Sequence, residues 1–303
     1  MISLIVCTYN RCNFIYSTLE HIAANHYPSD KYEIVLINNN STDDTEAECN
    51  RFKATYPDMP FRYFVETQQG LSYARNRGIA EASGDMLVFL DDDSFVDTDY
   101  LAKLEAHISS IPDMMAFGGR ITPQFENGVE PKWLSNWTYS WVSAINMGDK
   151  VRLFEGSKFP IGANMGLKKS CVDKIGLFNT ALGRTEKNLM GGEEKDLFNR
   201  VKKLDMPIYY LPDVHVHHII PPQRTTDAYI VKMAQGIGIS ERVRTSGISK
   251  GKYISRIGME IVKWGGSMVL YTKFLLKGQH EKGSKLLLFR HHVTRGLLGL
   301  AKI

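Results

Sequence analysis

The chain has 303 residues, of which 43% are hydrophobic and 23% charged, with a formal net charge of +4. This is ordinary globular composition, with enough apolar side chain for one large or two modest domains. The four cysteines (Cys7, Cys12, Cys49, Cys171) form no CxxC pair, which argues against a zinc site and for reduced thiols in a cytosolic setting.

Taken in chain order, apolar runs alternate with helical patterns. Residues 2–7, 32–37, 61–65, 86–90 and 114–117 read as strands, and 13–25, 42–54, 72–82 and 98–109 as helices. Such a βαβ series predicts a mostly parallel, twisted, Rossmann-like sheet with helices on both faces. Gly118-Gly119 and the proline-bearing 123–131 stretch then break the rhythm. Trp133, Trp137 and Trp141 follow at helical spacing, and a mixed region runs to His218.

The charge is unevenly spread. From Ser240 onward there are thirteen Lys or Arg against three Glu, a net of +10, so residues 1–239 carry −6. Tyr253, Ile257, Ile261, Trp264, Met268 and Tyr271 are interleaved with that charge, which predicts amphipathic helices whose partner is an anionic membrane surface. The competing expectation is a helical hairpin packed on its own body or on a second copy in a homo-oligomer. No nucleic-acid recognition motif accompanies the charge. The best membrane-span candidate, 257–276, is interrupted by Glu260, Lys263 and Lys273, and no secretory segment precedes the first strand. The expected location is therefore the cytoplasm, peripheral at the inner face of the membrane.

The polar residues cluster at strand ends. Thr8-Tyr9-Asn10-Arg11 follows the first strand, Asn38-Asn39-Asn40-Ser41 the second, and Asp91-Asp92-Asp93 the fourth. Three polar loops at one edge of a sheet form a nucleotide crevice. Neither GxGxxG nor GxxxxGK is present, so hydride transfer and NTP hydrolysis lose their best support. Three carboxylates in a row after a buried strand repel one another and call for a hard divalent cation, Mn²⁺ or Mg²⁺. A second acidic cluster, Glu193-Glu194-Lys195-Asp196, follows Gly191-Gly192 and opens a helix through Leu197, Val201 and Leu204.

These motifs resemble those of glycosyltransferase family two, the inverting group with the GT-A fold. The matching stretches are Val6 to Arg11, Ile34 to Asp43, Gly70 to Gly78, the Asp triplet and Gly192 to Leu197. They cover residues 1 to about 235 in the family's order. The resemblance implies that Thr8, Tyr9, Arg11, Asn38, Asn40, Arg75, Asp91 and Asp92 line the nucleotide-sugar donor, with Asp91 facing the ribose. Asp93, with Asp91 and His218, would hold the metal that bridges the donor's phosphates. Glu194 falls at the catalytic-base position, with Glu193 and Asp196 beside it, and crowding among them is expected to raise a carboxylate pKa. Asn164 falls where the family lines its acceptor pocket; Gly192 and Trp137, the latter as a ring to stack on a sugar, are the further acceptor candidates. Residues 182–192 look like a lid. On a strand, His215 and His217 would share one face and His218 the other, and the first two are expected to be ordinary surface or core histidines. The family commonly has Asp at the position of Asn38, which leaves the donor's nucleobase open, and Pro at that of Cys7, which is read as a packing change.

The implied activity is transfer of one sugar to an acceptor hydroxyl, on a saccharide or lipid-linked saccharide, in bacterial surface polysaccharide or glycolipid synthesis. A sugar-nucleotide nucleotidyltransferase and a non-catalytic binding module are the alternatives. The expected organisation is a donor-binding half over 1–119, an acceptor and base half over 120–239, and a basic helical tail over 240–303.

Overall fold

The computed structural model describes residues 1–185 and 189–301. Its centre is a mixed sheet in the order β3-β2-β1-β4-β8-β6-β9-β5, with β7 (Arg152–Leu153) paired to β9 off that path. The first half is parallel: β1 (Ile2–Thr8) lies between β2 (Tyr32–Asn38) and β4 (Met86–Asp91), and β3 (Phe61–Val65) flanks β2. The second half is antiparallel, through β8 (Asn164–Lys168), β6 (Ala116–Phe125), β9 (Ile208–Ile220) and β5 (Ser94–Val96).

The central strands are apolar at nearly every position because both faces are covered. Leu4 and Val6 pack with Ile15 and Leu19 of α1 (Cys12–Ala23), Phe52 of α2 (Thr45–Thr55) and Leu101 and Leu104 of α4 (Tyr100–Ser110). Ile5, on the other face, packs with Ala74 and Ile79 of α3 (Leu71–Glu81), Val172 of α5 (Lys169–Ile175) and Leu197 and Val201 of α6 (Glu193–Lys203). Period-two alternation in β1 thus feeds two cores. Gly78 lets α3 press close to the sheet, since a Cβ there would lie 2.3 Å from Ile5 Cγ2.

The chain divides into two compact units, one of residues 1–124, 143–179 and 194–219, the other of 125–142, 180–193 and 220–303. The second contains α7 (Asp227–Ser246), α8 (Lys250–Leu276) and α9 (His280–Leu297). Thr226 caps α7 and Ser249 caps α8, each hydroxyl accepting a main-chain N–H three residues on. Trp133 and Trp141 also belong to this unit, and Trp141 stacks on Phe289 at 4.2 Å. The helical spacing of the three tryptophans does not produce an α-helix; only a 3₁₀ turn, Tyr139–Val142, forms there. Their periodicity reflects two indoles turned inward and Trp137 left 61% exposed. Among the described residues, no helix is long and apolar enough to cross a membrane.

Candidate active site

Register brings the strand ends level. Thr8 pairs with Asn38 and Cys7 with Asp91, so three loops leave the parallel half of the sheet at one edge. The first two loops are stitched together: Asn10 N–H donates to Ser41 Oγ (2.9 Å), Thr42 N–H to Asn10 Oδ1 (2.8 Å) and Arg11 N–H to Thr45 Oγ1 (2.9 Å). Asn10 and Asn40 adopt positive φ (53° and 61°), a conformation asparagine tolerates. Asn38 accepts from Ser41 N–H (2.9 Å) and donates to Tyr63 Oη (2.8 Å). Asn39 donates to the carbonyls of Glu66 and Gln68 and accepts from Gly70 N–H at 2.7 Å, which fixes the start of α3 and hence Arg75. Tyr9 is half-buried and Thr8 buried at the same edge. Burial pushes the Cys7 thiol up to about 12, consistent with a packing role.

The acidic triplet turns its members to different partners. Asp93 is buried, and its Oδ1 lies 2.9 Å from Nε2 of the buried His218, brought opposite by the Ser94–His218 pairing of β5 and β9. Arg11 reaches Asp93 Oδ2 with Nη2 (3.0 Å) and Asp92 Oδ1 with Nε (3.5 Å). Asp92 receives Thr18 Oγ1–H on its main-chain carbonyl. Burial pushes its carboxyl up to about 6, with Arg11 opposing and Asp93 adding to the rise. Asp91, Asp93 and His218 offer ligand atoms that all lie within 4.8 Å of one another. Two carboxylates and one imidazole, converging from β4, its following loop and β9, suit a hard or borderline divalent ion such as Mn²⁺ or Mg²⁺.

Arg75 joins this cluster to the second one. From α3 its Nη2 lies 3.2 Å from Glu194 Oε1 and 3.8 Å from Asp91 Oδ1, and its guanidinium sits 5.4 Å from the Phe178 ring centroid. Glu194 Oε1 also accepts Gly162 N–H at 2.9 Å. A Cβ on residue 162 would lie 2.1 Å from Arg75 Nη2 and 2.2 Å from Glu194 Oε1, so a larger residue there must displace the ends of these two side chains. The sequence reading did not single out Gly162; its signal is a glycine just ahead of Ala163-Asn164 at the start of a buried strand.

The remaining candidates are differently placed. Asp196 pairs with Arg200 one turn on in α6 (3.1 Å), and Glu193 is buried. Asn164 is fully buried, accepting Tyr100 Oη–H (2.7 Å) and donating to the carbonyls of Arg120 (3.1 Å) and Val214 (2.8 Å). Its amide is a strut between β8, α4, β6 and β9. Gly192, with φ of 97°, and the exposed Trp137 belong to the second unit. Of the expected lid, 186–188 lie outside the described residues.

A nine-stranded mixed sheet with a carboxylate triplet at the end of a central parallel strand, opposite a second acid on a helix start, defines a GT-A glycosyltransferase. Residues 3–176 match the family model described as glycosyl transferase family 2, and the chain belongs to that family. It is 24% identical over 247 residues, 80% of this chain and 76% of the relative, to the glucosyl-dolichyl phosphate glucuronosyltransferase of Haloferax volcanii. It is 26% identical over 231 residues, 75% of this chain and 69% of the relative, to the succinoglycan biosynthesis protein ExoM of Rhizobium meliloti. The mannosyltransferase PcManGT from Pyrobaculum calidifontis, solved with GDP-Man and Mn²⁺, superposes with a TM-score of 0.64 at 18% identity, over 98% of this chain and 87% of that one. Glycosyltransferase membership removes the nucleotidyltransferase alternative.

Proposed function

We propose that this chain is a metal-dependent inverting glycosyltransferase, moving one sugar from a nucleoside-diphosphate sugar to an acceptor hydroxyl in a single displacement. The observation that carries the reading is the bridge of Arg75 between Asp91 and Glu194, which puts the donor-side acids and the base candidate on one guanidinium. Asp91, Asp93 and His218 would hold the ion, which supplies Lewis-acid neutralisation of the departing diphosphate. Arg11, already on Asp92 and Asp93, holds these carboxylates in place and opposes the rise that burial imposes on Asp92. Thr8, Tyr9, Asn38 and Asn40 form the floor and rim for the nucleoside.

Glu194 is the base. Arg75 and Gly162 N–H fix one of its oxygens, and a carboxylate has about four lone-pair sites, so it can still accept the acceptor's hydroxyl proton. Glu193 and Asp196 serve α6 as acids of its first turn, where they complement the helix dipole. Asn164 holds the start of β8, two residues after Gly162, in place.

The acceptor we favour is lipid-linked. The named substrate of the Haloferax relative is a dolichyl phosphate glycolipid, and α8 here is built inside out. Its inward side carries Arg256, Glu260, Trp264, Ser267 and Phe274, whereas Ile254, Ile261, Val262, Met268, Val269 and Leu276 are 59–83% exposed. The exposed Lys252, Lys263 and Lys273 flank that apolar stripe, the pattern of a helix lying in an anionic headgroup layer at the inner face of a bacterial membrane.

The test is calorimetric screening of UDP-, GDP- and dTDP-sugars with Mn²⁺, followed by turnover. Glu194→Gln should bind the donor as wild type does while transfer falls by about 10²- to 10⁴-fold. Normal turnover in that variant would remove Glu194 from the reaction.

A further inference from the structure

His215 and His217, expected to be ordinary histidines, are brought together with Asp97 on the face of β9 opposite His218. Asp97 directly follows β5, and the Phe95–His217 and Val96–Val216 pairs set it beside both rings. Its Oδ2 lies 3.3 Å from His215 Nδ1 and its Oδ1 3.2 Å from His217 Nε2. The three groups offer ligand atoms all within 4.8 Å of one another. All are partly open to solvent.

We propose that Asp97, His215 and His217 form a second divalent-cation site, selective for zinc-like borderline ions, distinct from the oxygen-rich cluster at Asp91 and Asp93. Three features carry the assignment. A tetrahedral Zn²⁺ with ligands at about 2.0–2.1 Å separates neighbouring ligand atoms by about 3.4 Å, so the observed spacings accept an ion with little movement. They are longer than the roughly 2.7–2.9 Å of a charge-assisted hydrogen bond, the alternative use of such a trio.

The second feature is the outer partner of His215. Its Nε2 lies 2.8 Å from Thr122 Oγ1 on β6. With Nε2–H donated to that hydroxyl, Nδ1 presents its lone pair to a cation held beside the Asp97 carboxylate. A ligating histidine ordinarily has its other ring nitrogen fixed in this way. The third is donor type: two imidazoles and one carboxylate favour Zn²⁺ over Mg²⁺, whereas Asp91, Asp93 and His218 present the opposite balance. With three protein ligands and solvent at the fourth position, the ion would pin the end of β5 to β9. The same ladder holds Ser94 against His218, so the pin would stiffen the support of Asp93 from behind.

The experiment titrates the full chain with Zn²⁺ in excess Mg²⁺, which occupies the oxygen-rich cluster, and follows binding by calorimetry and thermal unfolding. Wild type should bind a Zn²⁺ equivalent and unfold at a higher temperature with it. His217→Ala should lose both effects while keeping its circular dichroism. Thr122→Val, which keeps the shape and removes the hydroxyl, should weaken Zn²⁺ by about 10- to 100-fold. Should His217→Ala not fold, Thr122→Val decides. Unchanged Zn²⁺ affinity in the folded variants would overturn the site.

Discussion

At Gly162 a single hydrogen atom decides whether Arg75 and Glu194 can meet. Gly162→Ala is expected to leave folding intact and displace the ion pair, lowering turnover by about 10²-fold for a shift of around 1 Å at the reacting groups. Steady-state kinetics beside a thermal melt measures this, and wild-type turnover would show that the pair does not set the base. Asp93→Ala should abolish the Mn²⁺ dependence of donor affinity in calorimetry, because His218 and Arg11 would then face a cavity in place of a carboxylate. The Asp triplet and Glu194 were legible from sequence because they fall on the family's motifs in order and spacing. Gly162 was not, since its role depends on two side chains 87 and 32 residues away in the chain.

At the scale of elements, α8 reverses the usual polarity of a packed helix. Glu260 is buried between Arg256 (2.7 Å) and Arg290 of α9 (2.9 Å), and Trp264 Nε1–H donates to Thr294. The inward face thus combines these polar pairs with the buried Phe274, while a row of apolar residues is left outside. Ile261→Asp with Val269→Asp should leave the melting temperature unchanged and abolish flotation with anionic vesicles. Retained flotation would leave only a protein partner for that face. Sequence periodicity gave the correct helix with an ambiguous facing, because an amphipathic pattern does not say which side meets protein. The tryptophans make the same point: Trp133 and Trp141 are both buried, yet they sit on turns.

Across the whole molecule, buried carboxylates set the acid limit. Burial alone would raise Glu33, but Ser3 Oγ–H (2.6 Å), Ser83 N–H (2.6 Å) and Arg62 (2.8 Å) hold it below its usual range. Burial likewise opposes, and Arg256 and Arg290 outweigh it, at Glu260. A carboxylate depressed in the folded state contributes stability that is present above its unfolded pKa and lost as pH falls through the folded value. Urea unfolding should therefore show stability falling below about pH 4.5, and Glu33→Gln should flatten that fall while lowering stability at neutral pH. An unchanged acid slope in Glu33→Gln would remove this residue from the acid response.

What the sequence alone determined was local: apolar runs that need burial on both sides, polar loops at strand ends, and acid clusters at a strand end and a helix start. These follow from neighbours within a few residues, where chain connectivity already fixes geometry. Tertiary structure decided what depends on distance across the sheet. It set Arg75 between two acids, Asp97 between His215 and His217, Asn164 as an internal strut, and the outward side of α8. Those outcomes depend on strand register and helix rotation, where one residue of slip sends a side chain to the other face.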